Sequence, residues 1–391
     1  MKKINRRQPS WRIAAVRKAR MSARTAACLG LGLGLGLGAT ASAPAAASNL
    51  QLYGSLTQGV SYVSNIAGGS SARIDPGTMQ PDRFGLRGSE DLGDGLRANF
   101  LLESGFATQT GSSIVPGVLF NRNAWVGLSD RWGSVQLGHQ PGFMFDVIGK
   151  YSNGFQLTNF FLFHPGNLDN LANTFQADNA IKLMSPAARP WQVGALYGFA
   201  SMTPKDGSRS TTTLSTFARY QEDGFSGALA FTLVKDRAHV DLPRRTGVTR
   251  LFGQTLTSGL PIVLDRQRIW GAGAGYRFDS LPLRVNAAYT GVQLEYRGRD
   301  EAMRSADLGA AWTYRPSKVL NLGYSRSAFA GGHWDLFSLS HVHQFSKRTE
   351  WFALAVYQRA GSGLAHAAIN GVGVSSTRNQ TVLTSGVHHS F

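Results

Sequence analysis

Apolar and polar side chains alternate with a period of two on both sides of a Gly/Asp cluster early in the chain. Within Asp82–Phe106, Phe84 and Leu86 alternate with charged and small residues up to the cluster Asp91–Gly95. The apolar series resumes as Leu96, Ala98, Phe100 and Leu102. Because successive strand side chains point to opposite faces, this pattern predicts two strands joined by a tight turn. Such a hairpin fits either a soluble sandwich or a membrane barrel whose apolar face meets lipid.

The same alternation recurs along most of the chain. It begins with a first strand at Asn49–Asn65 and is clear in Phe225–Leu233, Trp270–Phe278, Leu283–Thr290 and Asp307–Arg315. Aromatic residues near the strand ends suit the interfacial girdles of a membrane barrel. Counting the segments predicts an all-β fold, a transmembrane antiparallel β-barrel of about 16 strands. An even number of strands places both termini on the same side.

The connections between these strands alternate in length. Short turns include Asp91–Gly95 and Asp130–Gly133, and the longer connections are 66–81, 107–117, 140–176, 200–210, 237–265 and 361–378. Short turns on one side and long loops on the other are typical of outer-membrane barrels. Pro141–Phe175 lacks clean alternation and is rich in Gly, Asn and Phe, and a long irregular segment of this kind is a functional candidate.

The N-terminal 47 residues differ from the rest of the chain. They contain nine of the 40 Lys and Arg residues and no Asp or Glu, followed by an apolar run and Ala45–Ala47. This order predicts a signal peptide at 1–47, removed to leave a barrel domain at 48–391, with the start at Met1 or Met21 open. Beyond residue 47 the formal charge of +17 falls to +8 and is scattered. We therefore expect no nucleic-acid partner.

Few residues point to chemistry. Cys28, the one cysteine, lies in the leader, so the mature chain has no disulfide, thiol nucleophile or cysteine-based zinc site. His341 and His343 share a face, but their parity with Phe345 points them outward, and we expect no metal site. A Ser-His-Asn lipase in a smaller barrel is the enzyme alternative, and no serine is singled out for it. We expect a protein that is not an enzyme and has no cofactor.

Several motifs resemble the general trimeric porins of Gram-negative outer membranes, in the branch related to the neisserial porins. They are Arg83–Gly93 (RFGLRGSEDLG), Leu101–Phe106 (LLESGF), Leu119–Leu128 (LFNRNAWVGL), Ser346–Thr349 (SKRT) and the terminal Phe391. The resemblance implies a homotrimer in outer-membrane lipid and a third extracellular loop folded inward to narrow the pore. It also implies that the barrel-assembly machinery reads Phe391.

The resemblance also suggests constriction residues. Arg83 and Arg122 fall where the family places lumenal arginines, and their alternation with Phe84 and Trp125 agrees. His139 stands where the family usually has an arginine, so the constriction is predicted to be less basic than usual. The charged residues of the inward loop are Asp146, Lys150 and Asp169. Arginines facing loop carboxylates would produce a transverse field across the pore.

These observations predict a water-filled channel for passive diffusion of small hydrophilic solutes and ions, exported to the outer membrane. The charge balance favours a mild anion preference. A substrate-specific porin is one alternative. Another is a barrel that acts chiefly as an adhesin or receptor through its surface loops, especially 237–265 with Arg244, Arg245 and Arg250.

Overall fold

Sixteen antiparallel strands form one closed sheet in the computed structural model, which describes residues 49–187, 190–200 and 212–391. Each strand pairs with the next along the chain, and the last pairs with the first. The predicted all-β barrel is thereby confirmed. The strands are β1 (Asn49–Ile66), β2 (Arg83–Gly93), β3 (Leu96–Ala107), β4 (Asn123–Asp130), β5 (Gly133–Gln140), β6 (Ala177–Met184), β7 (Trp191–Gly198), β8 (Thr212–Glu222), β9 (Phe225–Val240), β10 (Ile262–Arg277), β11 (Leu283–Tyr296), β12 (Arg299–Arg315), β13 (Lys318–Phe329), β14 (Gly332–Gln344), β15 (Thr349–Ala360) and β16 (Asn379–Ser390).

Strand β1 closes the barrel. Residues 55–63 pair with 382–390 of β16, and residues 49–55 pair with β2. Its second half also pairs with a short strand, Gly69–Pro76. The prediction of a loop at 66–81 is therefore wrong for about half of its length, because the chain turns back and stays in the sheet through Pro76.

The two faces of the strands differ as the alternation predicts. Leu308 and Leu322 are exposed on the outer face, whereas their chain neighbours Asp307 and Asn321 are buried on the inner face. Apolar side chains that face outward around a closed sheet suit contact with hydrocarbon, and polar side chains face the interior. His341, His343 and the exposed Phe345 follow the outward parity.

The opening hairpin has the predicted turn. Asp94 and Gly95 both have positive φ angles, 51° and 86°, and join β2 to β3. A two-residue turn with positive φ at both positions matches the twist of the flanking strands, which explains the Asp-Gly pair. The register places Arg83 opposite Gly105 and Gly85 opposite Glu103.

The segment between β5 and β6 forms short helical turns instead of strands. Ser152 accepts a hydrogen bond from the Phe155 amide and caps one of them. Asn167, Asn170 and Asn173 have positive φ angles of 45°, 59° and 56°, a conformation that asparagine adopts more readily than most residues. The helical turns are α1 (Phe143–Asp146), Ile148–Tyr151, α2 (Asn153–Gln156), Phe160–Leu162 and Pro165–Asn167.

Small residues on the inner face of β10 make room for this segment. A Cβ atom at Gly271 would lie 2.9 Å from the Met144 side chain, and one at Gly273 would lie 2.6 Å from Tyr151. Glycine at alternate positions of a strand therefore permits close approach of another chain segment. The segment's apolar residues share one buried cluster with inner-face residues that include Leu264, Ile269 and Val292.

The connection between β9 and β10 is shorter than the predicted 237–265, because both strands extend into it. It holds α3 (Leu242–Thr246) and a hairpin of Arg250–Leu251 with Gln254–Thr255. The predicted signal peptide 1–47 and most of the predicted connection 200–210 lie outside the described residues. Among the described residues, no helix has the length and apolar character of a membrane-spanning segment.

Candidate functional site: a charged cavity beside the 141–175 segment

A cavity of about 510 Å³ lies between the barrel wall and residues 141–175, and we call it the wall cavity. Its wall side includes Arg83, Leu101, Glu103, Arg122, Trp125 and Lys182. Its segment side includes Phe145, Asp146, Phe155, Phe160 and Phe163. The volume is in the range of small-molecule sites, and charged groups from both sides line one space.

Glu103 lies at the centre of the charged wall. Arg122 donates through Nε to Glu103 Oε1 at 2.7 Å, and Arg83 Nε lies 3.5 Å from Oε2. The Tyr53 hydroxyl donates to the same Oε2 at 2.8 Å. The Tyr53 side chain extends over β2 to Glu103 because its cross-strand neighbour on β2 is Gly85. A Cβ atom at Gly85 would lie 2.6 Å from the tyrosine ring. One carboxylate thus holds two guanidinium groups side by side at the cavity.

Arg122 reaches this position in a way that strand parity does not explain. Strand β4 begins at Asn123, so Arg122 precedes the strand instead of alternating within it. Trp125 lines the same cavity as Arg122, and the predicted outward orientation of Trp125 is wrong. Strand β4 begins four residues into the motif Leu119–Leu128, and the bend before it aims Arg122 at Glu103.

A second charged pair joins the wall to the segment. Lys182 Nζ on β6 lies 2.5 Å from Asp146 Oδ2 at the end of α1 and also donates to the Pro141 carbonyl at 3.0 Å. The same ammonium group lies 4.9 Å from the centre of the Phe143 ring. The segment carboxylate Asp146 therefore faces a wall lysine, not the two arginines.

Asp169 lies elsewhere, in a fully buried network. His164 Nδ1 lies 2.5 Å from Asp169 Oδ2, and His164 Nε2 lies 3.1 Å from Asp307 Oδ1 on β12. Thr290 donates to Asp169 at 2.8 Å, and the Asn153 amide donates to Asp307 at 3.1 Å. Asp169 does not line the wall cavity. The network links the segment to the polar face of β11 and β12.

Charge pairing controls the protonation of this network. Burial alone would lower the pKa of His164, but the carboxylates of Asp307 and Asp169 raise it to about 10. For Asp169, burial opposes ionisation, yet the His164 cation and its hydrogen bond hold the carboxyl pKa below its usual range. The histidine is therefore a cation at neutral pH.

The remaining sequence candidates lie outside the wall cavity. His139 shares its face of β5 with the exposed Leu137 and lies 2.5 Å from Asp178. Lys150 is exposed within the segment. Phe391 follows β16, where its backbone exchanges two hydrogen bonds of 3.1 Å with Gly54.

Ser55, His388 and Glu350 form a hydrogen-bonded chain on the inner face. Ser55 Oγ lies 3.0 Å from His388 Nε2, and His388 Nδ1 lies 2.9 Å from Glu350 Oε1. This order resembles a catalytic triad, but Ser55 is only 1% exposed and presents no surface to a substrate. The chain ties β1 to β16 and β15 as a structural contact.

Sequence reasoning missed Glu103, Tyr53 and Lys182. Glu103 could have been identified from the hairpin register. The Asp-Gly turn places Glu103 opposite Gly85, and Gly85 lies on the same strand face as Arg83. Lys182 pairs with Asp146 across 36 residues, and no sequence pattern gives the position of α1 relative to β6.

Comparisons with known proteins agree with this architecture. The sequence model of the family described as Gram-negative porin matches residues 34–363. An outer membrane porin protein of Bordetella pertussis is 27% identical, with 84% of this chain and 94% of that protein covered. The major outer membrane protein P.IB of Neisseria gonorrhoeae is 30% identical, with 81% and 90% covered. The solved anion-selective porin from Comamonas acidovorans has a similar fold, with a TM-score of 0.72, 23% identity, and 88% of this chain and 100% of that chain covered.

Proposed function

The chain belongs to the Gram-negative porin family, and from that premise we propose that it passes small hydrophilic solutes and ions by diffusion, filtered by charge at the wall cavity. It is an outer-membrane porin that forms a channel. The predicted resemblance and location are thereby confirmed. The proposal concerns which residues filter the solutes and which solutes pass through the channel.

The observation that carries the proposal is the placement of fixed charges in one cavity beside the barrel wall. Arg83 and Arg122 flank Glu103, while Lys182 pairs with Asp146 from the segment. Charged side chains that line a narrow aqueous path select solutes by charge and orient polar ones. Three cations and two carboxylates leave one positive charge in excess, which favours anions.

We propose that residues 141–175 are the inward-folded third extracellular loop. The support is its contacts with polar-face side chains of distant strands. Asn286 on β11 donates to the Tyr151 carbonyl at 3.0 Å, and Ser215 on β8 accepts from the Phe143 amide at 3.1 Å. A segment held to several inner-face strands in this way would narrow the water-filled path.

Within this proposal the predicted constriction residues have different roles. Arg83, Arg122 and Asp146 act on solutes together with Glu103 and Lys182. Asp169 positions the loop, Lys150 adds an exposed charge, and His139 acts outside the constriction. The same proposal includes a homotrimer in outer-membrane lipid, with Phe391 as the signal for the barrel-assembly machinery. It includes no catalytic activity, cofactor, metal or nucleic-acid partner.

Planar-bilayer recording tests the proposal. The purified protein should give stepwise ohmic conductance and, in asymmetric potassium chloride, a reversal potential on the anion-selective side. Replacing Arg83 and Arg122 together by Ser should shift that potential toward cations. Arg131→Ser, in an exposed turn between β4 and β5, is the matched control. Absence of conductance from folded protein would overturn the channel function, and an unchanged potential would remove the two arginines from the filter.

A further inference from the structure

The segment side of the wall cavity is aromatic. Phe145, Phe155, Phe160 and Phe163 line it, opposite Trp125 on the wall. Phe155 is 48% exposed, whereas Phe161 of the same segment is 3% exposed. The segment therefore buries some of its rings and leaves another open to the cavity.

An exposed phenylalanine at this position keeps apolar surface available to a solute. Covering such a ring with an apolar group removes apolar surface from water, which favours binding. Phe155 follows the cap Ser152 in a helical turn that Asn153 fixes to the wall through hydrogen bonds to the Leu308 and Tyr324 carbonyls, at 3.2 and 2.9 Å. The ring is thus held on a fixed backbone beside the charged wall.

Arg122 supplies an anion-binding group in the same cavity. Its Nε atom is used by Glu103, and in the described part of the chain no residue accepts a hydrogen bond from its two terminal nitrogens. A guanidinium group binds a carboxylate through two parallel N–H donors. The cavity's single excess positive charge favours such a ligand over a neutral one.

We propose that the wall cavity binds small aromatic carboxylates, with the ring against Phe155 and the carboxylate on Arg122. The site would make the channel retain these anions in transit, and this inference rests on the proposed channel function. The cavity volume of about 510 Å³ accommodates a one-ring solute with water around it. Neither a simple inorganic anion nor a neutral aromatic molecule would use both halves of the site.

The test is block of the potassium chloride current by benzoate in planar bilayers, compared with acetate and benzyl alcohol. Benzoate should reduce the current saturably, with a half-blocking concentration about tenfold below that of either comparison compound. Phe155→Ser and Arg122→Gln should each raise the benzoate value about tenfold, relative to the potassium chloride current of the same variant. The control Phe345→Ser, on the outer face near the turn after β14, should leave the benzoate value unchanged.

The outcomes separate this inference from the channel function. If the protein conducts potassium chloride but benzoate blocks the current no better than acetate does, the aromatic site is overturned and the channel function stands. The same conclusion follows if Phe155→Ser leaves the half-blocking concentration of benzoate unchanged. If the folded protein does not conduct, the channel function fails, and equilibrium dialysis of radiolabelled benzoate against the detergent-solubilised protein decides the binding site. Saturable binding that Arg122→Gln weakens about tenfold supports the site, and its absence overturns it.

Discussion

Two ionic clusters, one lining a cavity and one fully enclosed, use similar chemistry in different surroundings. In the wall cluster, Glu103 lies between Arg83 and Arg122 beside open space. In the buried cluster, the His164 cation lies between Asp169 and Asp307, and its side chain is 0% exposed. The wall cluster therefore has one anion between two cations, and the buried cluster has one cation between two anions.

The surroundings decide what each cluster can do. Charges beside water act on passing solutes, because the field extends into the aqueous path and is only partly screened. Charges enclosed by protein act on each other, and removing one partner leaves an uncompensated charge away from water. We therefore expect the wall cluster to set selectivity and the buried cluster to hold the 141–175 segment.

The largest effect is expected from His164→Ala. Two buried carboxylates would lose their shared cation, at a cost of about 3–5 kcal/mol to the attachment of the segment. Single-channel current noise and protease sensitivity within residues 141–175 should both increase. Arg326→Ala is the control, because its pair with Asp335 at 3.3 Å is half exposed and worth about 0–1 kcal/mol. Equal effects of the two substitutions would contradict the assigned role of His164.

The attachment of the 141–175 segment should depend on pH through His164. The folded-state pKa of His164 is about 10, above the ordinary 6.5, so its stabilisation is complete below pH 6.5 and is lost as pH rises through 10. Asp169, with its lowered pKa, contributes stability above its ordinary value near 3.8 that is lost in acid. Current noise should therefore rise in alkaline solution. His164→Gln should lack this alkaline transition, and a transition that persists in that variant would assign it to another group.

A smaller effect is expected from Glu103→Gln. Removing this carboxylate leaves Arg83 and Arg122 without their counter-charge, so anion preference should increase, opposite to the effect of the double arginine replacement. The anion-to-cation permeability ratio should change roughly two- to fivefold, consistent with about 0.5–1 kcal/mol of partly screened electrostatics. Reversal potentials in asymmetric salt measure this ratio. Glu222→Gln, at an exposed strand end, should have no effect.

The smallest effect on conduction is expected from Gly85→Ala. The added Cβ would lie 2.6 Å from the Tyr53 ring and 2.7 Å from the Leu102 carbonyl oxygen, so it would displace the tyrosine from Glu103 and strain the β2–β3 pairing, at a cost of about 1–3 kcal/mol in stability. Thermal denaturation in detergent measures the change. Gly69→Ala is the control, because a Cβ there meets nothing within 4 Å. A similar loss of stability at both positions would show that these close contacts at Gly85 are not the cause.

Most of the barrel follows from local pattern. Predicted Asn49–Asn65 corresponds to β1, and the predicted connection 361–378 lies between the observed β15 and β16. The errors fall where contacts between distant residues override that pattern. Gly69–Pro76 became a strand because β1 offered a free edge, and Arg122 reached Glu103 from a bend before β4.

The candidate site was less predictable than the barrel. Arg83, Arg122 and Asp146 were named from the sequence and line the wall cavity, together with Glu103 and Lys182, which were not named. Asp169 was named for the pore and lies in the buried cluster. Sequence patterns locate charges on strands and loops, but they do not give the distance between two charges on different elements.

The class of structure follows from the order of residues along each strand. Alternation with a period of two assigns one face of most strands to hydrocarbon and the other to the barrel interior, so the pattern can be read strand by strand. Which charges meet depends on the folded arrangement of the chain, because the path of residues 141–175 is set by contacts with strands more than a hundred residues away, such as His164 with Asp307. Those contacts depend on the space beside strand glycines and on the burial of the charged groups. Neither property can be derived from residues that are neighbours in the chain.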